Sequence, residues 1–322
     1  MVLTVTLNPL LENRLYYDSI QLGASNRGKR QTFKAGGKGI NVSRQLNHLG
    51  IQNIALTFLG GNNGKIMRRI LTVEKINFSA ISTKSETRSA TITIETDPQR
   101  LTTFFKPNNP ITEKEVNEFK SKLEKMMQNC STVIFSGSSP CAETDDIFSF
   151  GINLANQLDK TSILDTYGNN LQRTIGASPT ILHNNISELE KSFSNNLSIE
   201  TNKVNFLHDL YKKGIKLAFI TDGENPTYAS KFDFIYKIDS LTIDEVDPTG
   251  SGDAFVAGIA RGIEKGIIFD EFVKTASALG AVNASKWDVC SSALEETEEH
   301  IQKVTVTPIG KKLKLIDDSP TH

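Results

Sequence analysis

Residues 247–258 join a glycine-rich loop to an apolar helical pattern and carry a carboxylate at the junction. Gly250 and Gly252 have no Cβ, so the backbone there can turn several amide groups toward one point. The apolar residues that follow predict a helix beginning near Gly252 or Asp253: Phe255, Val256, Ile259 and Ile263. Unpaired N–H groups at the start of such a helix attract an anion such as phosphate. Asp253 is then either a helix cap or a base, and this stretch alone leaves both roles open.

A second stretch, residues 35–44, has a similar design, with Lys38 among glycines that lead into a helical pattern. The apolar positions of that pattern are Ile40, Val42, Leu46 and Leu49, and Gly50 ends it. One interpretation is a tight turn with a solvated lysine. The other is a close approach of the backbone to a substrate, with a cation beside it.

Asn185 and Glu188 stand three residues apart after a short β-rich run. On one turn of helix their oxygen atoms would face the same way, and oxygen ligands, direct or through water, suit Mg²⁺. The same pair is also typical of a helix N-terminal cap. The spacing is compatible with both interpretations.

These stretches fall within an alternating pattern of strands and helices. Strands are predicted at 2–7, 54–59, 132–135, 162–164, 180–182 and 216–220, and helices at 143–158, 201–213 and 269–285. Such alternation predicts a parallel sheet covered by helices on both faces, which binds its ligands outside the carboxyl ends of the strands.

Other segments alternate with period two and predict antiparallel strands. Residues 12–34 predict one pair with an exposed face, and residues 88–95 and 102–105 predict another pair around Asp97-Pro98. Together they would form one small separate sheet. Residues 232–238 suggest a further hairpin, and residues 311–315 a peripheral strand before a tail.

The composition argues against several classes of protein. The 322 residues carry a formal net charge of −1, which gives no general attraction to nucleic acid or to an anionic membrane. Cys130, Cys141 and Cys290 lack metal-ligand spacing and cannot all pair, so we expect packing residues in a reducing cytoplasm. The five histidines are scattered, and we assign them no chemistry. Short apolar runs and a strand-like beginning predict a soluble protein.

Two common nucleotide-binding motifs are missing from the sequence. Residues 60–65 have the wrong spacing for a P-loop, and Ile66 follows where that motif requires Ser or Thr. The first strand does not lead into a G-x-G-x-x-G pattern, which argues against a dinucleotide-binding dehydrogenase.

Six motifs in a fixed order nevertheless resemble the ribokinase-like sugar kinases of the phosphofructokinase B type. They are Thr6-Leu-Asn-Pro9, Ala35-Gly-Gly-Lys-Gly-Ile-Asn-Val42, Glu86-Thr-Arg88, Ser136-Gly-Ser138, Asn185-x-x-Glu188 and Pro248-Thr-Gly-Ser-Gly-Asp253. The likeness covers nearly the whole chain and is greatest to the branch of 1-phosphofructokinases and tagatose-6-phosphate kinases.

The resemblance implies a single domain over residues 1–322. Its fold would be a three-layer α/β/α structure with a mostly parallel sheet of eight or more strands. A lid, a small antiparallel β-sheet, would come from insertions at about 12–34 and 86–107. The expected ligands are ATP, Mg²⁺ and a small sugar phosphate, and the lids are expected to pair in a homodimer.

The resemblance also implies roles for individual residues. Asp253 matches the base that takes the proton of the attacking sugar hydroxyl, and Gly250, Ser251 and Gly252 match the loop that stabilises the transferred phosphate. Asn185 and Glu188 match a motif that holds magnesium through water. The positions matching the substrate's own phosphate are Lys38, Arg88 and Arg27, and those matching the sugar are Glu12, Gly37, Asn41 and Ser138. The positions matching the nucleotide are Asn185, Thr221, Gly223, Gly252 and Asn283.

Three departures from the family pattern concern the ligands: the first affects the sugar contact, and the other two affect the shape of the nucleotide pocket. Glu12 stands where the family has a sugar-binding aspartate, His183-Asn184 replaces the usual Lys-Pro, and Pro226 replaces a glycine of the adenosine-side loop. The resemblance as a whole makes us expect a kinase of a phosphorylated ketohexose, either tagatose 6-phosphate or fructose 1-phosphate, with a 1,6-bisphosphate as product. The alternatives are a sensor without catalytic activity, or a kinase of an unphosphorylated sugar or nucleoside.

Overall fold

The computed structural model describes residues 1–168 and 170–309, so the predicted strand at 311–315 lies outside the described residues. The strands are β1 (Val2–Thr6), β2 (Leu10–Tyr17), β3 (Arg30–Gly36), β4 (Asn53–Gly60), β5 (Phe78–Thr83), β6 (Ser89–Thr96), β7 (Gln99–Phe105), β8 (Thr132–Ser136), β9 (Thr161–Asp165), β10 (Ile181–Asn185), β11 (Leu217–Asp222), β12 (Asn225–Lys231), β13 (Phe234–Ile238) and β14 (Val306–Ile309). The α-helices are α1 (Lys38–His48), α2 (Gly61–Val73), α3 (Glu113–Met127), α4 (Ile147–Gln157), α5 (Leu171–Gly176), α6 (Ile186–Phe193), α7 (Glu200–Lys212), α8 (Ser251–Lys265), α9 (Phe269–Ala284) and α10 (Glu298–Ile301). Short 3₁₀ turns lie at Ala142–Thr144 and Glu295–Thr297.

Ten strands form one sheet in the order β14-β13-β12-β11-β10-β9-β8-β1-β4-β5. All neighbouring strands from β11 to β5 pair in parallel, whereas β12, β13 and β14 pair antiparallel at the other edge. The apolar β-rich runs of the sequence supply this parallel part, because strands covered on both faces need nearly continuous apolar residues. The expected sheet, mostly parallel and of eight or more strands, is confirmed.

Helices cover both faces of the large sheet. On one face, α3, α4, α6 and α7 pack their apolar residues against side chains such as Leu3, Val5 and Phe58. On the other face, α1, α8 and α9 pack against the alternate strand residues, among them Val2 and Ile134. The period-two alternation of strand side chains therefore produces two cores and a three-layer architecture.

The remaining strands form the small sheet, in the order β3-β2-β6-β7. It consists of two antiparallel hairpins, β2–β3 and β6–β7, and the hairpins meet through a parallel pairing of β2 with β6. The predicted strand pairs at 12–34 and 88–105 are these hairpins. Leu11 and Ala35 join the small sheet to α1 and α2 through a third apolar cluster.

The hairpin predicted at 232–238 begins earlier than expected. Its first strand is β12, Phe232 lies in the turn with φ 53°, and only β13 falls within the predicted range. The strand β12 was not predicted because it contains Pro226, and proline is rare within paired strands. It is tolerated here because the pairing of β11 with β12 is irregular beside it, between Ile220 and Asp222.

The chain order of the strands reverses beside β1. From β1 the chain goes to β4 on one side, and it later returns to β8 on the other side. In open α/β sheets such a reversal opens a crevice at the carboxyl ends of the strands, where ligands bind. Asn8, Ser138 and Asp165 follow or end strands at this crevice. In the described part of the chain, no helix is long and apolar enough to cross a membrane.

Candidate active site

The loop before α8 holds its backbone in a conformation that only glycine accommodates. Gly250, the N-cap of α8, has φ 81°, and a Cβ added there would lie 2.2 Å from Cγ1 of Val289. The N–H of Thr249 donates to Oδ1 of Asp247 at 2.9 Å, and the N–H of Ser251 donates to the carbonyl of Pro248 at 3.1 Å. The loop is therefore fixed by its own hydrogen bonds.

The amides of this loop are only partly engaged. Among the described residues, the N–H groups of Gly250, Gly252 and Asp253 have no hydrogen-bond acceptor, whereas that of Ser251 is occupied by Pro248. Free amides at a helix N-terminus attract phosphate oxygens. The predicted anion site thus has donors at Gly250 and Gly252 but not at Ser251.

Asn283, on α9, forms hydrogen bonds that hold the same loop in place. Its Nδ2 donates to the carbonyl of Thr249 at 2.8 Å and to Oγ of Ser251 at 3.2 Å, and its Oδ1 accepts from the N–H of Cys290 at 2.7 Å. The side chain is buried and uses both ends of its amide inside the protein. The structure therefore gives Asn283 a positioning role, and the contact with adenine stays a prediction.

Asp253 lies in the first turn of α8 but does not cap it. Its Oδ2 accepts a hydrogen bond from Nδ2 of Asn41 at 2.8 Å, and no backbone N–H of the described residues donates to its carboxylate. The side chain is only 4% exposed, and burial raises the pKa of Asp253 to about 7. Lys38 opposes this rise and Asp165 adds to it. A carboxylate with a pKa near 7 suits a general base better than a cap.

The ammonium group of Lys38 lies between two carboxylates, and its side chain is 25% exposed. Nζ is 3.0 Å from Oδ1 of Asp165 and 2.9 Å from Oε1 of Glu188. Burial alone would lower the pKa of Lys38, but the two carboxylates raise it above its ordinary value. In this structure Lys38 is engaged in a double ion pair, and its contact with a substrate phosphate stays a prediction.

Asp165 and His183 belong to this cluster, although sequence reasoning missed both. Nδ1 of His183 lies 3.2 Å from Oδ1 of Asp165, and Nε2 lies 3.3 Å from Oγ1 of Thr221. Burial would raise the pKa of Asp165, but Lys38 and His183 lower it to about 2. Asp165 is the last residue of β9 and His183 lies two residues before the end of β10, and a position near the carboxyl end of a strand is the signal in the sequence that points to them.

Asn185 and Glu188 form the helix cap that their spacing predicts. Oδ1 of Asn185 accepts from the N–H of Glu188 at 2.9 Å, and Oε2 of Glu188 accepts from the N–H of Asn185 at 3.2 Å. The same Oε2 also accepts from Nδ2 of Asn184 at 3.1 Å. The cap and the magnesium interpretation do not exclude each other, because Oε1 of Glu188 points to Lys38 rather than into the helix.

The donor set beside Glu188 fits a magnesium ion. Oδ2 of Asp165 and Oδ1 of Asn184 are buried and have no hydrogen-bond partner in the described part of the chain. A buried oxygen without a partner is costly, and hard oxygen ligands are what Mg²⁺ prefers. Within residues 1–168 and 170–309, His, Cys, Asp and Glu form no group of three that could hold a metal ion by themselves. A site here would need the amide oxygen or water as well.

Arg88 is a half-buried cation without a carboxylate partner among the described residues. It donates to the carbonyl of Asn8 at 3.1 Å and weakly to Oδ1 of Asn108 at 3.5 Å, and its Nε has no partner in the same part of the chain. Burial lowers its pKa, although an arginine stays charged. Asn8 also donates to Ser138, at 3.2 Å, which places Ser138 in the same network.

Among the predicted sugar-side residues, Gly37 borders this network, since a Cβ added there would be 3.9 Å from the carbonyl oxygen of Asn8, whereas Asn41 binds Asp253. Glu12 is buried and pairs with Arg14 at 2.8 Å, and Oε1 of Glu12 occupies the space that a Cβ at Gly36 would need. Gly37 caps α1 with φ 119°. A cavity of about 730 Å³ opens beside Glu12, Arg14 and Asn41.

Arg27 and the nucleotide-side loop lie outside these networks. Arg27 is exposed and makes no hydrogen bond or ion pair with any residue that the structure describes, so the structure does not join it to Arg88 or Lys38. Gly223, with φ 56°, forms the turn between β11 and β12, one residue after the end of β11. Thr221 is linked to the site by the contact of its Oγ1 with Nε2 of His183.

The sequence matches the family model described as pfkB family carbohydrate kinase over residues 11–296. That match spans most of the chain, including the loop of Asp253 and the capped helix of Glu188. The chain belongs to the pfkB family of carbohydrate kinases. Membership of this family makes the protein an enzyme that phosphorylates a carbohydrate, and it implies ATP as the phosphate donor.

Relatives and solved structures agree with this assignment. The chain is 30% identical, over 321 residues, to a tagatose-6-phosphate kinase of Staphylococcus epidermidis, which covers 98% of this chain and 100% of the relative. A possible 1-phosphofructokinase of Thermotoga maritima has a TM-score of 0.88 at 23% identity and covers 96% of this chain and 99% of its own. Phosphofructokinase-2 of Escherichia coli has a TM-score of 0.86 at 18% identity, covering 94% and 98%. The last two likenesses confirm the three-layer fold with its small separate sheet.

Proposed function

We propose that this pfkB-family kinase transfers the γ-phosphate of ATP to a hydroxyl of a phosphorylated ketohexose. Tagatose 6-phosphate and fructose 1-phosphate are the two candidate substrates, and both would give a 1,6-bisphosphate. The observation that carries the proposal is Asp253, a buried carboxylate with a raised pKa beside free amides at a helix N-terminus. A base and an anion site at one point are what transfer of phosphate to an alcohol requires.

In the proposed mechanism, Asp253 accepts the proton of the sugar hydroxyl as that oxygen attacks the γ-phosphate. Asn41 holds Oδ2 of Asp253 and so fixes the direction of the carboxylate. The free N–H groups of Gly250 and Gly252 stabilise the negative charge on the transferred group, and Asn283 keeps their loop in place. The chain thus supplies positioning and charge stabilisation, the main contributions to phosphoryl transfer.

Magnesium fits the same site on the nucleotide side. Glu188, Asp165 and Asn184 would supply oxygen atoms for the ion, and Asn185 would take part through water. When bound, the ion neutralises charge on the phosphates of ATP. Thr221 and Gly223 end the neighbouring strand, and we assign them to the nucleotide together with Asn283.

Arg88 supports a substrate that already carries a phosphate. A half-buried guanidinium without a carboxylate partner in the described residues is a strong site for a phosphate ester, because it can donate to two oxygens at once. The likeness to a tagatose-6-phosphate kinase points to the same class of substrate. Glu12, Gly37 and Ser138 are the proposed sugar contacts.

We further propose a cytoplasmic enzyme that pairs through its small sheet, which would act as the lid. The three free cysteines are compatible with a reducing compartment. Arg27, in the exposed loop between β2 and β3, is then close to the rim of the lid rather than to the reacting groups.

The test is a substrate panel of tagatose 6-phosphate, fructose 1-phosphate and fructose 6-phosphate with ATP and Mg²⁺, read as ADP release. We expect turnover of tagatose 6-phosphate or fructose 1-phosphate well above that of ribose and adenosine. Turnover of ribose or adenosine alone would overturn the sugar-phosphate proposal. Binding of a sugar phosphate without turnover of any compound would favour the sensor instead.

A further inference from the structure

We propose that Lys38 exchanges partners during the binding of ligands. Without a metal ion its ammonium group holds Asp165 and Glu188 together, and Mg²⁺ releases it to the phosphate that the sugar already carries. This inference rests on the proposed function, because it assigns both the magnesium and the sugar phosphate to one site. It makes Lys38 the residue that couples their binding.

The first position of Lys38 is the one in the structure. Nζ lies 3.0 Å from Asp165 and 2.9 Å from Glu188, and those side chains are 0% and 15% exposed. Water therefore screens this pair of contacts poorly, and the ammonium group is the counter-ion that balances the two carboxylates.

A magnesium ion competes with Lys38 for the same oxygens. Oδ2 of Asp165 and Oδ1 of Asn184 are buried without partners in the described chain, so a divalent cation would gain their contacts as well as that of Glu188. Two cations a few ångströms apart repel each other strongly in a poorly hydrated site. Binding of the ion therefore weakens the hold of both carboxylates on Lys38.

The second position of Lys38 lies toward Arg88. The ring of Tyr167 is 5.2 Å from Nζ of Lys38. Arg88 donates to the carbonyl of Asn8, and Nδ2 of Asn8 donates to Ser138, which follows Gly137 in the loop beside Lys38. Gly137 borders the Lys38 side chain and has no side chain of its own to block it, since a Cβ there would be 3.8 Å from Cβ of Lys38. The four-carbon stem of lysine is flexible, so its ammonium group can turn from the carboxylates to an anion held by Arg88.

The exchange predicts positive coupling between magnesium and the sugar phosphate. Magnesium frees a cation for the phosphate, and a bound phosphate removes the competitor of magnesium. Coupling of this kind is reciprocal and typically changes each affinity about 5- to 150-fold.

The test measures binding without ATP, so that no turnover is involved. Titration calorimetry gives the affinity of tagatose 6-phosphate and of fructose 1-phosphate with and without Mg²⁺, and the electron paramagnetic resonance signal of Mn²⁺ gives the affinity for the metal. In the wild-type protein we expect Mg²⁺ to strengthen binding of the preferred sugar phosphate about fivefold or more.

Lys38→Met should change the two affinities in opposite directions. It should bind the sugar phosphate more weakly, with no dependence on Mg²⁺, and bind Mn²⁺ more tightly because its competitor is gone. Lys120→Met is the matched control, since Lys120 is also paired with an aspartate and its side chain is 23% exposed compared with 25% for Lys38. The control should behave as the wild type. Free sugar phosphate binds the same amount of magnesium in both titrations, so the comparison of the two variants cancels this contribution.

Two results would overturn the exchange. One is that Mg²⁺ leaves the affinity of the wild-type protein for the sugar phosphate unchanged or weakens it. This result is obtained without any variant. The other is a folded Lys38→Met protein that binds Mn²⁺ more weakly than the control. If the wild-type protein binds none of the sugar phosphates, the proposed function fails instead, and the Mn²⁺ measurement still decides whether Lys38 competes with the metal.

Discussion

Burial and a neighbouring carboxylate act together on Asp253. Its pKa is raised to about 7, whereas an unfolded aspartate has a pKa near 3.8. Above pH 7 the buried negative charge of Asp253 therefore lowers the free energy of unfolding. This destabilisation declines as the pH falls from about 7 toward 3.8, the pKa of the unfolded aspartate. Burial thus has two effects: it gives the Asp253 carboxylate a pKa suited to a base, and it lowers the stability of the folded protein.

Because the charge of Asp253 destabilises the folded protein at high pH, Asp253→Asn should be more stable there. The variant should unfold at a temperature a few degrees higher than the wild type at pH 8, because it removes the buried charge, and the gain should shrink at pH 5. Thermal unfolding followed by circular dichroism at both pH values measures it. Asp209→Asn, at a residue whose side chain is 62% exposed, should show no such gain. A variant that is less stable than the wild type at pH 8 would contradict the raised pKa.

Arg88 separates the two classes of substrate. Arg88→Ala should raise the KM for the preferred sugar phosphate by tenfold or more, because it removes a charged donor pair to the phosphate, and should change kcat much less. Steady-state kinetics with the sugar phosphate and with the free ketohexose measure the difference. An equal loss for both substrates would show that Arg88 does not contact the substrate's phosphate.

The residues that the sequence revealed are those with local motifs. Asp253 follows two glycines, and Glu188 stands three residues after Asn185, so each has a pattern within one short stretch. Asp165 and His183 lie on separate strands and meet only through the parallel pairing of β9 and β10. Tyr167 was missed for the same reason, since nothing in its neighbours marks it.

The start of α8 is the element on which the site depends. Gly250 needs a left-handed backbone, and Val289 leaves no space for a side chain there. Gly266 ends the same helix with φ 64°, but a Cβ added there would meet no atom within 4 Å. The two glycines thus share the backbone requirement and differ in the available space.

Gly250→Ala should therefore be more harmful than Gly266→Ala. We expect about 1 kcal/mol lower free energy of unfolding for Gly266→Ala, from the left-handed backbone alone, with unchanged kcat. Gly250→Ala should lose more stability and at least tenfold in kcat, because the free amides move. Denaturant unfolding and kcat measured on both variants test this. Equal effects would mean that the loop is not held as described.

Most of the elements follow from apolar periodicity. The strands at 132–136 and 217–222 and the helix at 269–284 differ from their predicted bounds by a residue or two. The helix α3 was not predicted, although Thr112 and Glu115 form a capping box whose sequence signature was available. The parallel pairing of β2 with β6 had no local signal, because it joins hairpins far apart in the sequence.

At the scale of the whole molecule, the small sheet exposes aromatic residues on one face. Phe33 and Phe104 are 43% and 60% exposed. The register places both in one row across the four strands, through Asn13 and Thr91. Exposed aromatic side chains in one row are typical of an interface, which supports the proposed pairing of lids.

The double variant Phe33→Ser, Phe104→Ser should therefore be monomeric at concentrations where the wild type is a dimer. Sedimentation velocity measures this. Phe234→Ser is the control, since Phe234 is 49% exposed but lies on the large sheet. A wild-type protein that sediments as a monomer, or a double variant that stays dimeric, would contradict pairing through this face.

The central claim is that Asp253 is the base of a ketohexose-phosphate kinase, and the kcat of Asp253→Asn tests it most directly. The measurement uses the preferred sugar phosphate of the panel at saturating ATP and Mg²⁺, with binding of the sugar phosphate confirmed by calorimetry. We expect unchanged binding and a kcat reduced about 10²- to 10⁴-fold, because that is the typical contribution of a general base. A kcat within tenfold of the wild type would contradict it.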